Sequence, residues 1–229
     1  MGFNAVKCSR IIFPLYCAHY NDEEKNGVKK MVEDEFATIT IDGRKLSKHT
    51  PANPAPLGFI AVGLTIVFLG FSLAGFYGLD SMILTLGLIY GGITLVIVSA
   101  MEYKNGNTFG TVAFGLYGIF WISDILLLVF AKLGWAAVPD VNAYALFYFM
   151  WGLLTVGIVI GTLKLGRALQ FFFITLALLF FLLTAAGLTG ILTITLLAGY
   201  VGILCGASGI YIGLAEVLND LYDRKVLPV

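Results

Sequence analysis

The chain has 229 residues, of which 59% are hydrophobic and 12% are charged, and its formal net charge is zero. Soluble globular domains carry about twice that share of charged residues, so the composition excludes an ordinary soluble fold and indicates a membrane protein. It also excludes a nucleic-acid partner, which would need clustered Lys and Arg to neutralise phosphates. The cysteines Cys8, Cys17 and Cys205 have no paired spacing, and no set of His residues at zinc-ligand spacing accompanies them. We therefore expect no disulfide framework, no metal site and no cofactor.

Residues 1–52 have the pattern of a polar tail. They contain the solvated charged stretches Asp22–Lys25 and Glu33–Glu35 and no long apolar run. The short apolar piece Ile11–Ala18 is interrupted by a proline and is followed by no small-residue cleavage site, so it does not indicate a signal peptide. Met31 is an alternative start of the chain.

Six apolar runs follow the tail, and each is long enough, at 1.5 Å per residue, to cross a hydrocarbon core of about 30 Å. The predicted spans are Leu57–Tyr77, Met82–Met101, Phe109–Ala131, Ala143–Leu163, Leu169–Ala186 and Ile191–Ala215. The connections between them are short, so consecutive helices must run antiparallel. The sequence thus predicts an all-α membrane protein with a six-helix transmembrane domain over residues 53–216 and a second tail over residues 217–229.

The basic residues indicate how the chain is oriented in the membrane, because loops retained in the cytoplasm carry the excess of Lys and Arg. Only Lys132 lies on the side opposite to the termini. The bases on the side of the termini are Arg44, Lys45, Lys48, Lys104, Lys164, Arg167, Arg224 and Lys225. We therefore expect a multi-pass protein of the cell membrane with both termini in the cytoplasm.

Glycines are spaced as expected for close helix packing in lipid, where small residues let backbones approach one another. Small-xxx-small pairs occur at Gly87 and Gly91, Gly157 and Gly161, Gly202 and Gly206, and Gly209 and Gly213. In the sixth span glycines recur every three or four residues from Gly199 to Gly213. We expect that face to pack against another helix or another subunit.

The segment Asn53–Gly58, with sequence NPAPLG, opens the first span. Asn is a good N-cap, and Pro is tolerated in the first turn of a helix because its missing N–H would have had no intrahelical partner. The helix dipole and the free amides of Leu57 and Gly58 favour a negative charge at this end. A carboxylate site there is one interpretation, and a well-capped helix is the other.

The same segment resembles the signature of the acetate uptake transporter family, also called succinate–acetate permeases. Further segments resemble that family in the same order: Tyr90–Gly92, Glu102–Gly110, Phe120–Trp121, Gly161–Lys164, Leu169–Phe171, Gly202–Ser208 and Glu216–Asn219. The resemblance covers Asn53 to Pro228. It implies a six-helix subunit that assembles into a homo-hexamer, with a separate pore for acetate, related monocarboxylates or succinate in each subunit.

The resemblance also implies an apolar constriction at mid-membrane, formed in the family by Phe, Tyr and Leu. The Tyr and Leu positions correspond to Tyr117 and Leu176, and the Phe position falls on Val62. The smaller valine predicts a wider constriction if the backbone is unchanged. The predicted pore or substrate-binding residues are Asn53, Pro54, Leu57, Val62, Thr65, Tyr117, Trp121 and Leu176.

Hydroxyl groups within the spans can replace the water that a carboxylate loses on entering the pore, and they add no charge to the pore. The residues that carry them are Thr65, Thr94, Ser99, Thr111, Ser123, Thr155, Thr162 and Thr175. They form either a polar track along the pore or hydrogen bonds to their own helix carbonyls, which is the usual role of such residues. Tyr117, Phe120 and Trp121 are predicted to contact the methyl group of acetate.

Three acidic residues are candidates for proton coupling. Asp124 lies deep in an apolar run, where a protonated acid can donate to a passing carboxylate or relay a proton. A local contact between helices is the alternative, because the family position is usually apolar. Glu102 and Glu216 lie at the ends of spans two and six, where pairing with Lys104, Lys164 or Arg167 is the simpler interpretation.

No catalytic constellation is recognisable, since His19 and His49 both lie in the tail and no phosphate-binding glycine loop occurs. We therefore predict a transporter or channel for acetate and related small carboxylates, passive or proton-coupled, and not an enzyme. The alternative is a non-transporting membrane sensor or scaffold that uses the acidic tail as its contact surface.

Overall fold

The structure is a computed structural model that describes residues 38–41, 44–47 and 52–229. The chain divides into two units between Ala52 and Asn53. In the first unit, strands β1 (Thr38–Ile41) and β2 (Arg44–Ser47) form an antiparallel hairpin in which Thr38 faces Ser47. The sequence pattern did not predict this hairpin. Met31, the charged stretches and the short apolar piece of the tail lie outside the described residues.

The second unit is a bundle of six helices, all of them long and apolar enough to cross a membrane. They are α1 (Ala55–Leu73), α2 (Ser81–Lys104), α3 (Thr108–Lys132), α4 (Val141–Thr162), α5 (Arg167–Thr189) and α6 (Leu192–Leu221). The predicted number and order of spans are confirmed, and the predicted bounds are within about six residues of the observed ones. The bundle has a proximal end, where α1 begins and α6 ends, and a distal end opposite to it.

Helices α2, α3 and α4 begin at residues whose side chains accept free backbone N–H groups. The side chain of Asp80 accepts the backbone N–H groups of Met82 and Ile83 at the start of α2. Asp140 caps α4 in the same way. Gly190 ends α5 with a φ of 64°, a left-handed conformation that glycine adopts without steric cost.

Helix α2 is not regular, because Gly87–Thr94 is π-helical between the α-helical stretches Ser81–Leu86 and Leu95–Lys104. The hydroxyl of Thr94 donates to the carbonyl of Ile89, five residues earlier, at 2.9 Å. Segments of π-helix are rare and often occur at functional sites. This segment packs against α3.

Helices α1 and α6 pack backbone against backbone. A Cβ built on Gly70 would lie 2.7 Å from the backbone nitrogen of Ile203, and one on Gly199 would overlap Ala74. Helix α6 therefore uses its glycine face against α1, which confirms that this face packs against another helix. By contrast, a Cβ on Gly157 of α4 would meet nothing within 4 Å, so no packing role is seen for that glycine within the subunit.

Candidate functional site

Two cavities lie inside the bundle, and α1, α3 and α5 form most of their walls. The distal cavity has a volume of about 30 Å³, and its lining residues are Val62, Ile66, Leu69, Tyr117, Phe120, Trp121, Asp124, Tyr148, Leu176, Leu179, Phe180 and Leu183. The proximal cavity has a volume of about 210 Å³ and is lined by Ala55, Phe59, Val62, Leu95, Asn107, Phe109, Gly110, Ala113, Phe114, Tyr117, Leu165, Leu169, Phe172, Phe173, Leu176 and Glu216. Both linings are mostly apolar.

Val62, Tyr117 and Leu176 are the three residues that line both cavities. One comes from each of α1, α3 and α5, and all three side chains are buried. They therefore lie where the two cavities approach each other. These are the three positions at which the family resemblance implies a constriction.

The hydroxyl of Tyr117 is already hydrogen-bonded within the protein. It donates to Thr155 Oγ1 at 2.9 Å, and Thr155 donates in turn to the carbonyl of Trp151 at 2.7 Å. The ring of Tyr117 has its centroid 6.0 Å from that of Phe173 and 6.2 Å from that of Trp151. Tyr117 thus presents a fixed aromatic ring to both cavities. Its hydroxyl proton is donated to Thr155 of α4.

The proximal cavity has an amide and a carboxyl group in its wall, Asn107 and Glu216. Asn107 caps α3, since its Oδ1 accepts the backbone N–H of Gly110 at 3.1 Å, and its Nδ2 donates to Glu102 Oε2 at 2.8 Å. The Glu102 side chain is only 2% exposed. Its Oε1 is buried without a hydrogen-bond partner among the described residues.

Neither Glu102 nor Glu216 forms an ion pair in the part of the chain that the structure describes. The expected pairing with Lys104, Lys164 or Arg167 is therefore wrong, because these bases are exposed while Glu102 is turned into the bundle toward Asn107. Glu216 instead accepts a hydrogen bond of 3.4 Å from Asn53 Nδ2.

The start of α1 has a structural role in this arrangement. Asn53 Oδ1 accepts the backbone N–H of Ala55 at 3.0 Å, so Asn53 links the helix start to Glu216. Asn53 and Pro54 line neither cavity, although Ala55 and Glu216 beside them do. Leu57 is 50% exposed on the outside of the bundle, so its predicted place in the pore is not supported.

Trp121, one of the predicted residues, lines the distal cavity and is held by the π-helical part of α2. A Cβ on Gly91 would lie 2.7 Å from Trp121 Cγ, and one on Gly87 would lie 3.2 Å from the same indole. The indole therefore occupies the space that these two glycines leave free. The π-helix thus sets how far Trp121 projects toward the cavity.

Asp124 also lines the distal cavity, and two tyrosines of α4 contact it. The hydroxyl of Tyr144 donates to Asp124 Oδ1 at 2.6 Å, and that of Tyr148 lies 3.1 Å from the same oxygen. The expected contact between helices is therefore present. Sequence reasoning missed both tyrosines, although their spacing of four residues in an apolar run put them on one face of a helix.

The predicted hydroxyl track is not supported, because none of its eight residues lines either cavity. Thr65 donates to the carbonyl of Ala61 at 3.0 Å and lies between α1 and α2. Six more bond carbonyls of their own helix, namely Thr94, Thr111, Ser123, Thr155, Thr162 and Thr175. Ser99 donates to the carbonyl of Thr111 on the neighbouring helix. The alternative of backbone bonding is thus confirmed, since buried hydroxyls need a partner and the helix supplies one.

Comparison with known proteins agrees with this architecture. A succinate-acetate/proton symporter of Escherichia coli K12, SatP, is 42% identical over 178 residues, which are 78% of this chain and 95% of that protein. A protein of Methanothermobacter thermautotrophicus is 52% identical over 184 residues, covering 77% of this chain and 90% of its own. The solved structure of the bacterial acetate channel SatP superposes with a TM-score of 0.77 at 42% identity, covering 78% of this chain and 99% of that one.

The family resemblance found in the sequence is confirmed by these relatives and by a family match that spans residues 37–225. The chain belongs to the GPR1/FUN34/yaaH family.

Proposed function

We propose that this protein transports acetate and related small carboxylates across the cell membrane, along a path that joins the two cavities inside each subunit. The observation that carries the proposal is that Val62, Tyr117 and Leu176 are the residues common to both cavities. Two relatives support the substrate class: the E. coli protein is a succinate-acetate/proton symporter, and a protein of Emericella nidulans, 31% identical over 122 residues, is an acetate permease.

Val62, Tyr117 and Leu176 form the constriction of this path. Two of the side chains are aliphatic, and the hydroxyl of Tyr117 is donated to Thr155, so the constriction offers a carboxylate no side-chain proton. The methyl group of acetate suits such a surface, whereas the carboxylate does not. Transfer of an unpaired charge into an apolar medium costs several kcal/mol or more.

We propose, on that physical argument, that the carboxylate passes the constriction together with a proton. A neutral acid needs to lose only ordinary hydrogen bonds to water, which costs far less than the loss of ionic hydration. The candidates for delivering and removing that proton are Asp124 and Glu216, which line the cavities, and Glu102, which accepts a hydrogen bond from Asn107 in the wall of the proximal cavity. The word "symporter" in the name of the E. coli relative agrees with this coupling.

The orientation and assembly are part of the same proposal. Both termini lie in the cytoplasm, because the Lys and Arg residues of the short loops lie at the proximal end, with Lys132 at the distal end. The subunits form a homo-hexamer in which each subunit keeps its own path. This arrangement is supported by the family resemblance and by the low burial of α4, of which only 17% of the apolar stretch is buried within the single subunit.

Labelled acetate uptake into proteoliposomes that contain only this chain tests the proposal. Uptake by the unaltered protein should exceed that of protein-free vesicles and should collapse when an uncoupler removes an imposed pH gradient. Leu176→Trp should lower the uptake about tenfold or more, which corresponds to ~1.4 kcal/mol in the barrier. Leu178→Trp on the same helix is the matched control, because Leu178 is exposed and lines neither cavity.

Vesicles no more permeable to acetate than protein-free ones would overturn the proposal and favour the sensor or scaffold. If both Trp variants conduct like the unaltered protein, transport stands but the constriction is elsewhere.

A further inference from the structure

A carboxylate and two phenol groups meet at the distal cavity in a cluster formed by Asp124, Tyr144 and Tyr148. The two tyrosine hydroxyls lie 2.6 Å and 3.1 Å from Asp124 Oδ1 and 2.9 Å from each other. Asp124 is 7% exposed, and both it and Tyr148 line the cavity. The tyrosines stand one helical turn apart on α4, so that helix fixes both donors together.

The two oxygens of Asp124 are not equivalent. Both tyrosines bond Oδ1, and Oδ2 receives no hydrogen bond from any described residue. In the part of the chain that the structure describes, Asp124 forms no ion pair with Lys, Arg or His. When a carboxylate is held away from water, both of its oxygens need hydrogen-bond partners. Two hydrogen bonds to one oxygen are not enough.

The other walls of the distal cavity offer no titratable group to Oδ2. Helix α1 contributes Ile66 and Leu69, and α5 contributes Leu179, Phe180 and Leu183. On α3, Tyr117 donates its hydroxyl proton to Thr155, and Trp121 does not titrate. Among the described residues that line the distal cavity, only Tyr117, Trp121 and Tyr148 carry a polar group besides Asp124, and none of them donates to Oδ2.

We propose that the cluster of Asp124, Tyr144 and Tyr148 is a substrate site in which Asp124 Oδ2 and the carboxyl group of one monocarboxylate are joined by a single shared proton. The inference rests on the proposed function and deepens it, because it assigns the distal cavity to the substrate's carboxyl group and defines the substrate class.

A shared proton solves the problem of placing two carboxylates together. Two ionised carboxylates in contact repel each other, and one proton between them replaces that repulsion with a strong hydrogen bond. The complex is the same whether acetate meets protonated Asp124 or acetic acid meets ionised Asp124, so no proton is lost. When the proton stays on the substrate, the two tyrosine hydroxyls stabilise the charge on Asp124.

The geometry also selects the number of carboxyl groups in the substrate. The site provides one partner for one carboxyl group. The distal cavity of about 30 Å³ has room for only about two water molecules, so apolar side chains such as Leu69 and Leu183 must move apart to admit the alkyl part of acetate or propionate. A dicarboxylate would leave its second carboxylate among these side chains without a donor. We therefore expect short monocarboxylates to bind in preference to succinate.

Equilibrium binding of labelled acetate to the purified full-length chain, measured across a pH series, tests the shared proton. In the unaltered protein, the acetate Kd should rise about tenfold per pH unit at pH values where both acetate and Asp124 are ionised before binding. The complex must then take up one proton from the solution. Asp124→Asn keeps an oxygen for the tyrosines and offers an amide N–H to acetate, so its Kd should stay nearly constant over the same series. Ile122→Val, in the same turn of α3 and outside both cavities, is the control and should behave as the unaltered protein.

Competition experiments on the unaltered protein test the substrate class without a variant. Propionate should displace labelled acetate at least about tenfold more effectively than succinate, a difference of ~1.4 kcal/mol. Equal competition by succinate, or an Asp124→Asn variant with the unaltered pH dependence, would overturn the inference while leaving acetate transport intact. Absence of any acetate binding or uptake by the unaltered protein would instead overturn the proposed function and this inference together.

Discussion

Gly63 of α1 and Gly206 of α6 face each other so closely that neither position has room for a side chain. A Cβ on Gly63 would lie 2.6 Å from the carbonyl oxygen of Gly206, and a Cβ on Gly206 would lie 2.5 Å from that of Gly63. The obstacle in both cases is backbone, which cannot rotate away. Because α1 contributes Val62 to both cavities, this contact also fixes the position of one wall of the path.

We expect Gly206→Ala to destabilise the bundle, because the added methyl group would push α6 away from α1. Overpacking of this kind costs about 1–3 kcal/mol. Gly157→Ala is the matched control, since it makes the same exchange in the middle of a helix but meets nothing within 4 Å. Thermal unfolding of the two purified variants in one detergent should therefore show a lower midpoint for Gly206→Ala only. Equal midpoints would contradict the tight contact.

The helices and the glycine face could be predicted from the sequence because both depend on local composition. A run of about twenty apolar residues is sufficient to specify a span, and glycines at three- and four-residue spacing must lie on one side of a helix. The π-helix in α2 could not be predicted, because Gly87, Gly91 and Gly92 give no local signal for it. It depends on the fit of these glycines to Trp121 and Ile122 of another helix.

Asn107→Asp should make the stability of the protein depend on pH. The variant replaces the amide that donates to Glu102 with a second carboxylate. At neutral pH the two charges repel, and a lost hydrogen bond to a buried group costs about 1–3 kcal/mol. As the pH falls, one carboxyl group takes up a proton and can donate a hydrogen bond to the other. The difference in stability between the variant and the unaltered protein should therefore become smaller.

Thermal unfolding across a pH series measures this effect. Asn142→Asp is the control for an added charge, because Asn142 is exposed at the start of α4. The double variant Glu102→Gln, Asn107→Asp should recover most of the lost stability at neutral pH, since the Gln amide can donate to the new carboxylate. If the double variant is no more stable than Asn107→Asp, the two side chains are not coupled.

The candidate site shows the limit of sequence reasoning more clearly than the fold does. Val62, Tyr117 and Leu176, which the family resemblance places together, line both cavities, whereas their role as a constriction stays a prediction. Thr65 was misassigned, since composition cannot tell whether a hydroxyl faces a cavity or bonds its own helix. The contact of Asp124 with α4 depends on how α3 and α4 are each oriented about their own axes. The sequence does not specify this orientation.

Gly91→Ala should slow transport without unfolding the protein. Its methyl group would lie 2.7 Å from Trp121 Cγ, and the indole that must move lines the distal cavity. A displacement that adds ~1.4 kcal/mol to the barrier lowers the acetate flux about tenfold. Gly92→Ala is the control, because its methyl group meets Ile122 Cγ1 at 2.7 Å and Ile122 lines neither cavity. Equal flux through both variants would show that the indole does not narrow the path.

Asn219→Ala should release residues 226–229 from the bundle while leaving the six helices in place. The Asn219 side chain accepts the backbone N–H groups of Val226 and Leu227 at 2.6 Å and 2.9 Å, and it donates to the carbonyl of Leu227 at 2.9 Å. Each such hydrogen bond contributes about 0.5–1.5 kcal/mol, which is enough to hold a short segment that has little other packing. The segment lies beside the α4–α5 connection, where a Cβ on Gly166 would meet Val229.

Hydrogen exchange followed by mass spectrometry measures the release, because amides that lose their partners exchange faster. Peptides that cover residues 224–229 should exchange at least about tenfold faster in Asn219→Ala, while peptides from α1 and α3 should be unchanged. Asp220→Ala is the matched control, since Asp220 is exposed and forms no hydrogen bond with residues 226–229. Unchanged exchange in Asn219→Ala would mean that Tyr211, whose hydroxyl donates to the carbonyl of Pro228 at 2.8 Å, is sufficient to hold the segment.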